Sequence, residues 1–328
     1  MNFGIPKSGG GTLSRGRKKS KEVFHQPVLL KEAIEFLKVK RGEKYIDATV
    51  GGGGHTVEIL KRGGRVLGLD VDPEAIGATK EKIRGLDKWT SRKSGNSLIF
   101  QSSAHLLILH KGNFAHLREI ALKLGFDEVA GILFDLGVSA RQLLTPERGF
   151  SFTSDAPLDM RMDPDLAVTA ADLVNGLGRK ELYELFSKLG EEHHAWRIAR
   201  AIVSARSLKP IKTCAELARI IMEAVPRRRR SSRINPATRC FQALRIAVND
   251  ELNNLNLALP QAIDLLKPGG RLVVVSFHSL EDRIVKNFLK EREGLKILTK
   301  KPIRPTETEV KRNPRSRSAK MRVGEKKG

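Results

Sequence analysis

Asp47-Ala-Thr-Val-Gly-Gly-Gly-Gly-His55 is the stretch on which the reading of this chain turns. Its run of glycines separates an apolar segment at 44–48 from a helix-forming segment at 55–62. Glycine lacks the Cβ that holds a backbone away from a ligand, and a helix start offers N–H groups with no partner inside the helix. Four glycines in a row exceed what an ordinary strand-to-helix turn requires. Upstream, Val28, Leu29, Ala33, Ile34 and Leu37 follow helical spacing. Downstream, a second apolar run at 65–69 ends at Asp70, and a helix is predicted to start near Pro73, a residue suited to a first helical turn. Residues 85–104 are polar and irregular and read as a surface insertion. Strands are predicted at 106–110 and 129–134, the latter ending at Asp135, with a helix over 115–124 between them.

This alternation predicts an α/β fold of Rossmann-like type, a doubly wound and mostly parallel sheet. It breaks after Ser139: 141–168 is loop-like, 169–225 reads as consecutive helices, and one long helix is expected from Pro236 to about Leu257. On that helix Phe241, Leu244, Val248, Leu252 and Leu255 form an apolar stripe, flanked by a polar row of Thr238, Gln242, Arg245 and Asn249. Alternation resumes with a strand at 271–276, after the turn Lys267-Pro-Gly-Gly270, and a helix from Ser279 to about Lys290. The expected organisation is a flexible basic arm (1–22), one α/β domain in two pieces (23–140 and 241–328) and an all-helical insertion domain (141–240).

In doubly wound sheets ligands lie beyond the carboxyl ends of the strands, where Asp47, Asp70 and Asp135 are expected to converge. Asp70, 19 residues after Gly51, stands where an acid grips ribose hydroxyls. The dinucleotide pattern G-x-G-x-x-G fails, because Thr56 or Val57 takes its last position, and the phosphate-loop ending Gly-Lys-Ser/Thr is absent. A ligand with adenine and ribose but no pyrophosphate fits, and S-adenosylmethionine is the expected cofactor. Ser276-Phe-His-Ser-Leu-Glu-Asp-Arg283 follows the last strand; Ser279 and Asp282 read as a capping box, and His278 is expected to face the same crevice. His193-His194 lacks the His-Glu-x-x-His pattern, so no metal is expected.

The formal net charge of the 328 residues is +23, and its distribution is uneven. Residues 1–22, 226–245 and 296–328 carry +5, +7 and +9, leaving the rest nearly neutral. Three basic appendages on a neutral body favour a polyanionic partner, and phosphate more than membrane, because none reads as an amphipathic basic helix. Arg227, Arg228, Arg229, Arg230, Arg233, Arg239 and Arg245 are the candidate RNA contacts. The two cysteines, Cys214 and Cys240, exclude a disulfide framework. With no long apolar run and no secretory leader, a cytoplasmic protein without membrane contact is expected.

Taken together the motifs resemble one family: the bacterial small-subunit (16S) ribosomal RNA cytosine-N4 methyltransferases. The resemblance rests on Phe24-His-Gln-Pro-Val-Leu-Leu30, Thr49 to His55, Asp135-Leu-Gly-Val-Ser139 with Gln142, and Arg148-Gly-Phe-Ser-Phe152. Pro157-Leu-Asp-Met-Arg-Met-Asp163, Gly190-Glu-Glu192, Pro236-Ala-Thr-Arg239, Ser276 to Lys286 and Asn313-Pro-Arg-Ser-Arg-Ser-Ala319 extend it. It implies methylation of the exocyclic N4 of one cytidine near the ribosomal P site, on the small subunit, with S-adenosylmethionine as donor. By position it places cofactor contacts on Gly53, Gly54, His55, Asp70, Phe114, Asp135 and Gln142. The slot that carries Asp/Asn-Pro-Pro-aromatic in other amino-methyltransferases reads Asp135-Leu-Gly-Val, so the acceptors expected for the amine protons are Asp135, or His278 and Ser279. The competing expectation is a non-enzymatic RNA-binding or ribosome-assembly protein, which would need the basic segments but not the glycine loop or the strand-end acids.

Overall fold

The computed structural model describes residues 27–152, 155–226 and 236–328. The basic arm and Arg227, Arg228, Arg229, Arg230 and Arg233 lie outside the described residues. The first half reads α1 (Leu30–Leu37), β1 (Lys44–Asp47), α2 (Gly54–Lys61), β2 (Arg65–Asp70), α3 (Pro73–Ile83), β3 (Thr90–Ser94), β4 (Ser97–Gln101), β5 (Leu106–Lys111), α4 (Leu117–Lys123) and β6 (Val129–Asp135). A helical region follows: α5 (Ala140–Leu144), α6 (Ala170–Gly176), α7 (Arg179–Lys188), α8 (Ala195–Arg206), α9 (Cys214–Ala224), α10 (Pro236–Asn249) and α11 (Glu251–Leu265). The chain ends with β7 (Leu266–Ser276), α12 (Ser279–Glu291), β8 (Leu295–Ile297), α13 (Glu307–Arg312) and β9 (Lys320–Lys326).

The nine strands among the described residues form one sheet in the order β3-β4-β5-β2-β1-β6-β7-β9-β8. The run β5, β2, β1, β6, β7 is parallel, and the outer strands are antiparallel. From β1 the chain moves outward through β2 to β5 and then returns to β6 on the other side. The switch point therefore lies between β1 and β6, where a doubly wound sheet opens its ligand crevice. One face of the sheet buries Ile46, Phe134 and Val274 against Leu259 of α11 and Val285 of α12. The other buries Tyr45, Leu133 and Val273 against Ile34 and Leu37 of α1 and Ile59 of α2. A third core, from Phe150 to Val248, belongs to the helical region, so the expected division at 240/241 falls inside α10. No helix among the described residues is long and apolar enough to cross a membrane.

Three expectations are corrected. Residues 85–104 are not an irregular insertion: β3 and β4 form a hairpin that adds to the edge strand β5. Every residue of β3 is exposed, so an edge strand without an apolar face left no alternation to read. The long helix from Pro236 is two helices, because Asp250 takes a left-handed conformation (φ +50°) between α10 and α11. The apolar stripe divides with it, Phe241, Leu244 and Val248 entering the helical core and Leu255 the sheet core. The last basic segment is no appendage. Its β9 pairs with β7 from Ser276↔Lys320 to Arg271↔Glu325, burying Met321 and Val323.

Gly149 opens the helical region with φ +71°, and a Cβ there would lie 2.4 Å from Pro157 O and 2.7 Å from Asp159 N. Both neighbours are backbone and cannot turn aside. Gly149→Ala is expected to lower stability by about 2 kcal/mol or more in chemical denaturation; a change within about 0.5 kcal/mol would contradict this close approach.

Candidate active site

The glycine loop leaves the sheet along both neighbouring ladders. Ala48 N–H donates to Leu133 O (2.9 Å) and Val50 N–H to Leu69 O (2.8 Å). The glycines then serve different ends. A Cβ on Gly53 would fall 2.7 Å from Thr79 Oγ1, and one on Gly54 2.6 Å from Pro27 Cγ. Those two residues are glycine so that the loop can pack on α3 and on the chain leading into α1. Gly51, with φ +50°, faces open space, its nearest potential Cβ contact being 4.0 Å away. Gly51 N–H donates to Asp70 Oδ2 (2.8 Å) and Asp72 N–H to Asp70 Oδ1 (2.9 Å). Asp70 therefore fixes the loop to the tip of β2, with lone pairs remaining on both oxygens.

The three strand-end acids differ in role. Asp47 is fully buried and accepts from Thr56 Oγ1 (2.6 Å) and Thr49 N–H (3.3 Å), so it braces the first turn of α2 and does not line the crevice. Burial pushes its carboxyl up to about 6. Burial pushes Asp70 up to about 7, opposed by the N–H groups of Asp72 and Gly51. Asp135 is raised well above the carboxylate range by burial, and the charges of Asp47 and Glu281 act in the same direction. Its backbone N–H donates to Thr49 Oγ1 (2.6 Å), and its Oδ2 lies 3.6 Å from Nδ1 of buried His55. Among the described residues, buried Asp135 Oδ1 has no hydrogen-bond partner, and neither do Ser276 Oγ and His278 Nε2 at the end of β7.

At the start of α12 the cap sits one residue earlier than expected. His278, extended at φ −139°, is the N-cap, and its Nδ1 accepts from Glu281 N–H at 3.4 Å. Glu281 Oε2 closes the box by accepting from Phe277 N–H (2.8 Å) and His278 N–H (3.3 Å). His278 Nε2 is 3.2 Å from Glu281 Oε1 but is not aligned for a hydrogen bond. Asp282, freed from capping, pairs with Arg322 (2.6 Å) and Lys320 (3.1 Å) of β9. Ser279 Oγ donates to Glu191 Oε2 (2.5 Å), and Arg283 Nη2 donates to Glu191 Oε1 (2.9 Å), which ties the α7–α8 loop to the crevice.

Arg245 is corrected as a phosphate contact. Both Glu251 oxygens accept from its guanidinium at 2.7 and 2.8 Å, and its side chain is 14% exposed. Glu251, His278 and Glu281 bring ligand-type atoms within 4.8 Å of one another, but Arg245 already engages Glu251. Arg239, a third exposed, reaches Glu191 O at 3.4 Å. Gln142 caps α5, its Oε1 accepting from Ser139 N–H (2.9 Å), and its Nε2 donates to Asp72 Oδ2 (2.8 Å). Phe114 packs edge-on against Phe134 at 5.6 Å.

The structure thus brings Gly51, His55, Asp70, Asp135 and His278 to one end of the sheet, with Gln142 behind Asp72 on its wall. Sequence reasoning missed Asp72, Arg148, Glu191, Glu251 and Glu281 as parts of this wall. Arg148 donates to Asp72 (3.0 Å) and to the carbonyls of Arg161 (3.0 Å) and Met162 (2.8 Å). The alternation Asp70-Val-Asp72 carried a signal for the first; partners such as Glu251 for Arg245 depend on the left-handed turn at Asp250.

The model of the MraW methylase family matches residues 22–327. Similar relatives are proteins named ribosomal RNA small subunit methyltransferase H. The one from Carboxydothermus hydrogenoformans is 46% identical over 325 residues, covering 93% of this chain and 98% of the relative. The one from Syntrophobacter fumaroxidans is 48% identical, covering 93% and 97%.

The folded protein holds the Asp70 proton more tightly than an unfolded chain, whose carboxyl titrates near pH 4. Its stabilising contribution is complete below about pH 4 and is lost as pH rises through about 7, with Asp47 acting in the same direction up to about 6. Asp70→Asn is expected to flatten the fall in denaturation midpoint across that window; a slope equal to wild type would contradict the strained carboxylate.

Proposed function

We propose that this chain, which belongs to the MraW methylase family, transfers a methyl group from S-adenosylmethionine to N4 of one cytidine of 16S rRNA in the small ribosomal subunit, near the P site. One observation carries the reading. At the switch point, a glycine backbone open toward solvent stands beside Asp70, and buried Asp135 Oδ1 and Ser276 Oγ have no hydrogen-bond partner among the described residues, nor does His278 Nε2, which is 3.2 Å from Glu281 Oε1 but not aligned for one. Orphaned buried acceptors and donors call for a polar ligand, and strand-tip carboxylates suit ribose hydroxyls and a sulfonium. The residues therefore fit the cofactor. Asp70 would take the ribose, Gly51 would allow close backbone approach, and Asp135 with His55 would face the charged end. Phe114 and Gln142 belong to the surrounding wall. The relatives' names support ribosomal RNA as the substrate.

When bound, S-adenosylmethionine supplies an electrophilic methyl group. The chain's own residues must deal with a poor nucleophile, since the N4 lone pair of cytosine is delocalised into the ring. Acceptors aimed at the amine protons localise that lone pair and orient it. Asp135 is the first candidate, because its Oδ1 has no donor among the described residues. Ser279 Oγ, on the facing wall, is the other; His278 accepts at Nδ1 from Glu281 N–H, so in the neutral ring its Nε2 carries the proton and donates. A cation beside Asp135 favours its ionised form, which is the form that accepts. Arg239 and the arginines of 227–233 would neutralise phosphates, setting affinity and salt dependence and not the choice of base.

Incubation with methyl-labelled S-adenosylmethionine and small subunits, followed by nucleotide mapping, is expected to place the label on N4 of a single cytidine. Label at another atom, or none in RNA, would overturn the assignment. Asp135→Asn keeps the shape and removes the ionisable carboxyl. It is expected to lower kcat about 100-fold or more while leaving neutral-pH stability unchanged or higher; wild-type turnover would remove Asp135 from the chemistry.

A further inference from the structure

Aromatic residues are scarce in this chain, which has two Trp and two Tyr. Trp89 is used internally, its Nε1–H donating to Ile83 O and its ring packing on Phe100 and His105. Trp196 is different. It lies on α8 beside the face that buries Ala195, Ile198, Ala199 and Ile202 and is 48% exposed. Tyr183 of α7, 39% exposed, meets it edge-on at 5.6 Å, and the Arg179 guanidinium stacks over the Trp196 ring at 4.8 Å. Helical spacing puts Arg179 beside Tyr183 on α7 and exposed Arg200 beside Trp196 on α8. Two aromatic rings and two guanidinium groups thus share one solvent-facing surface. The nearby acids are engaged locally, Glu181 by Gly178 N–H (2.7 Å) and Glu184 by Lys188 (3.1 Å).

We propose that Tyr183, Trp196, Arg179 and Arg200 form a stacking platform for an unpaired nucleobase of the RNA substrate, next to the base being modified. A single-stranded nucleic acid is the partner that offers both a π face to the rings and a phosphate to the arginines. The location fits. Glu191 contacts Ser279 at the crevice, and the five residue-to-residue steps from Glu191 to Trp196 span at most about 18 Å, a few nucleotides' reach. The platform rests on the RNA-methyltransferase reading for the identity of its ligand and acts by holding the strand, without touching the reacting atoms.

The test uses full-length protein in which Trp89→Phe leaves Trp196 as the only indole. Titration with a six-nucleotide oligocytidylate is expected to quench Trp196 fluorescence, whereas an abasic strand of equal charge is not. Trp196→Ala is expected to weaken oligocytidylate binding about tenfold and Trp196→Phe about threefold or less, with unchanged thermal stability. Equal affinity of Trp196→Ala and wild type, or equal quenching by the abasic strand, would overturn the proposal. So would a dimer in sedimentation that Trp196→Ala dissolves while RNA affinity stays constant, since the occupant would then be a second copy. The two readings fail separately. Wild-type protein that binds the oligonucleotide through Trp196 but methylates no ribosomal RNA defeats the methyltransferase reading alone. Normal methylation with a KM unmoved by Trp196→Ala defeats the platform alone.

Discussion

The structure depends on carboxylates buried at the tips of neighbouring parallel strands. Moving a charged carboxylate out of water is costly, and the protein offsets part of the cost with donors from the glycine loop and its surroundings. Gly51 N–H and Asp72 N–H go to Asp70, and Thr56 Oγ1 goes to Asp47. Asp135 is the exception, with one oxygen near His55 and the other without a hydrogen-bond partner among the described residues. Each carboxyl remains shifted upward, which shows that the donors present do not fully replace water. A site held in that condition is suited to a ligand that brings positive charge and hydroxyl groups.

The helical region bears on this crevice through Gln142 and Arg148 on Asp72 and through two further contacts. Glu191 reaches Ser279 and Arg283 at the start of α12, and Arg245 and Glu251 stand behind His278 and Glu281. The left-handed residue Asp250 makes the second contact possible by turning the chain between α10 and α11. The last strand secures the same helix from the other side, where Arg322 and Lys320 hold Asp282. Segments far apart in sequence therefore position the wall that carries His278.

The central architecture was legible because its signals are local. The parallel strands are apolar runs ending in Asp70 and Asp135, and Pro73 and the glycines punctuate them without ambiguity. What escaped notice depends on partners distant in the chain. The hairpin of β3 and β4 hid behind an entirely polar strand, and Thr90, Arg92 and Ser94 make sense as a strand only against the edge of β5. The break at Asp250 has no glycine or proline to announce it, since aspartate tolerates the left-handed region without either. Arg245 reads as a phosphate contact until its carboxylate partner Glu251 is in view, and Arg322, within a segment that reads as a basic appendage, is held by Asp282. The capping residue moved from Ser279 to His278 because Glu281 and not Asp282 reaches back to close the box.

A structure with S-adenosylhomocysteine bound tests the central claim most directly. The ribose hydroxyls are expected on Asp70, the adenosyl group against the Gly51 backbone, and the sulfur end toward Asp135. Density for the ligand elsewhere, or side chains closing over Gly51 so that nothing can enter, would contradict the account.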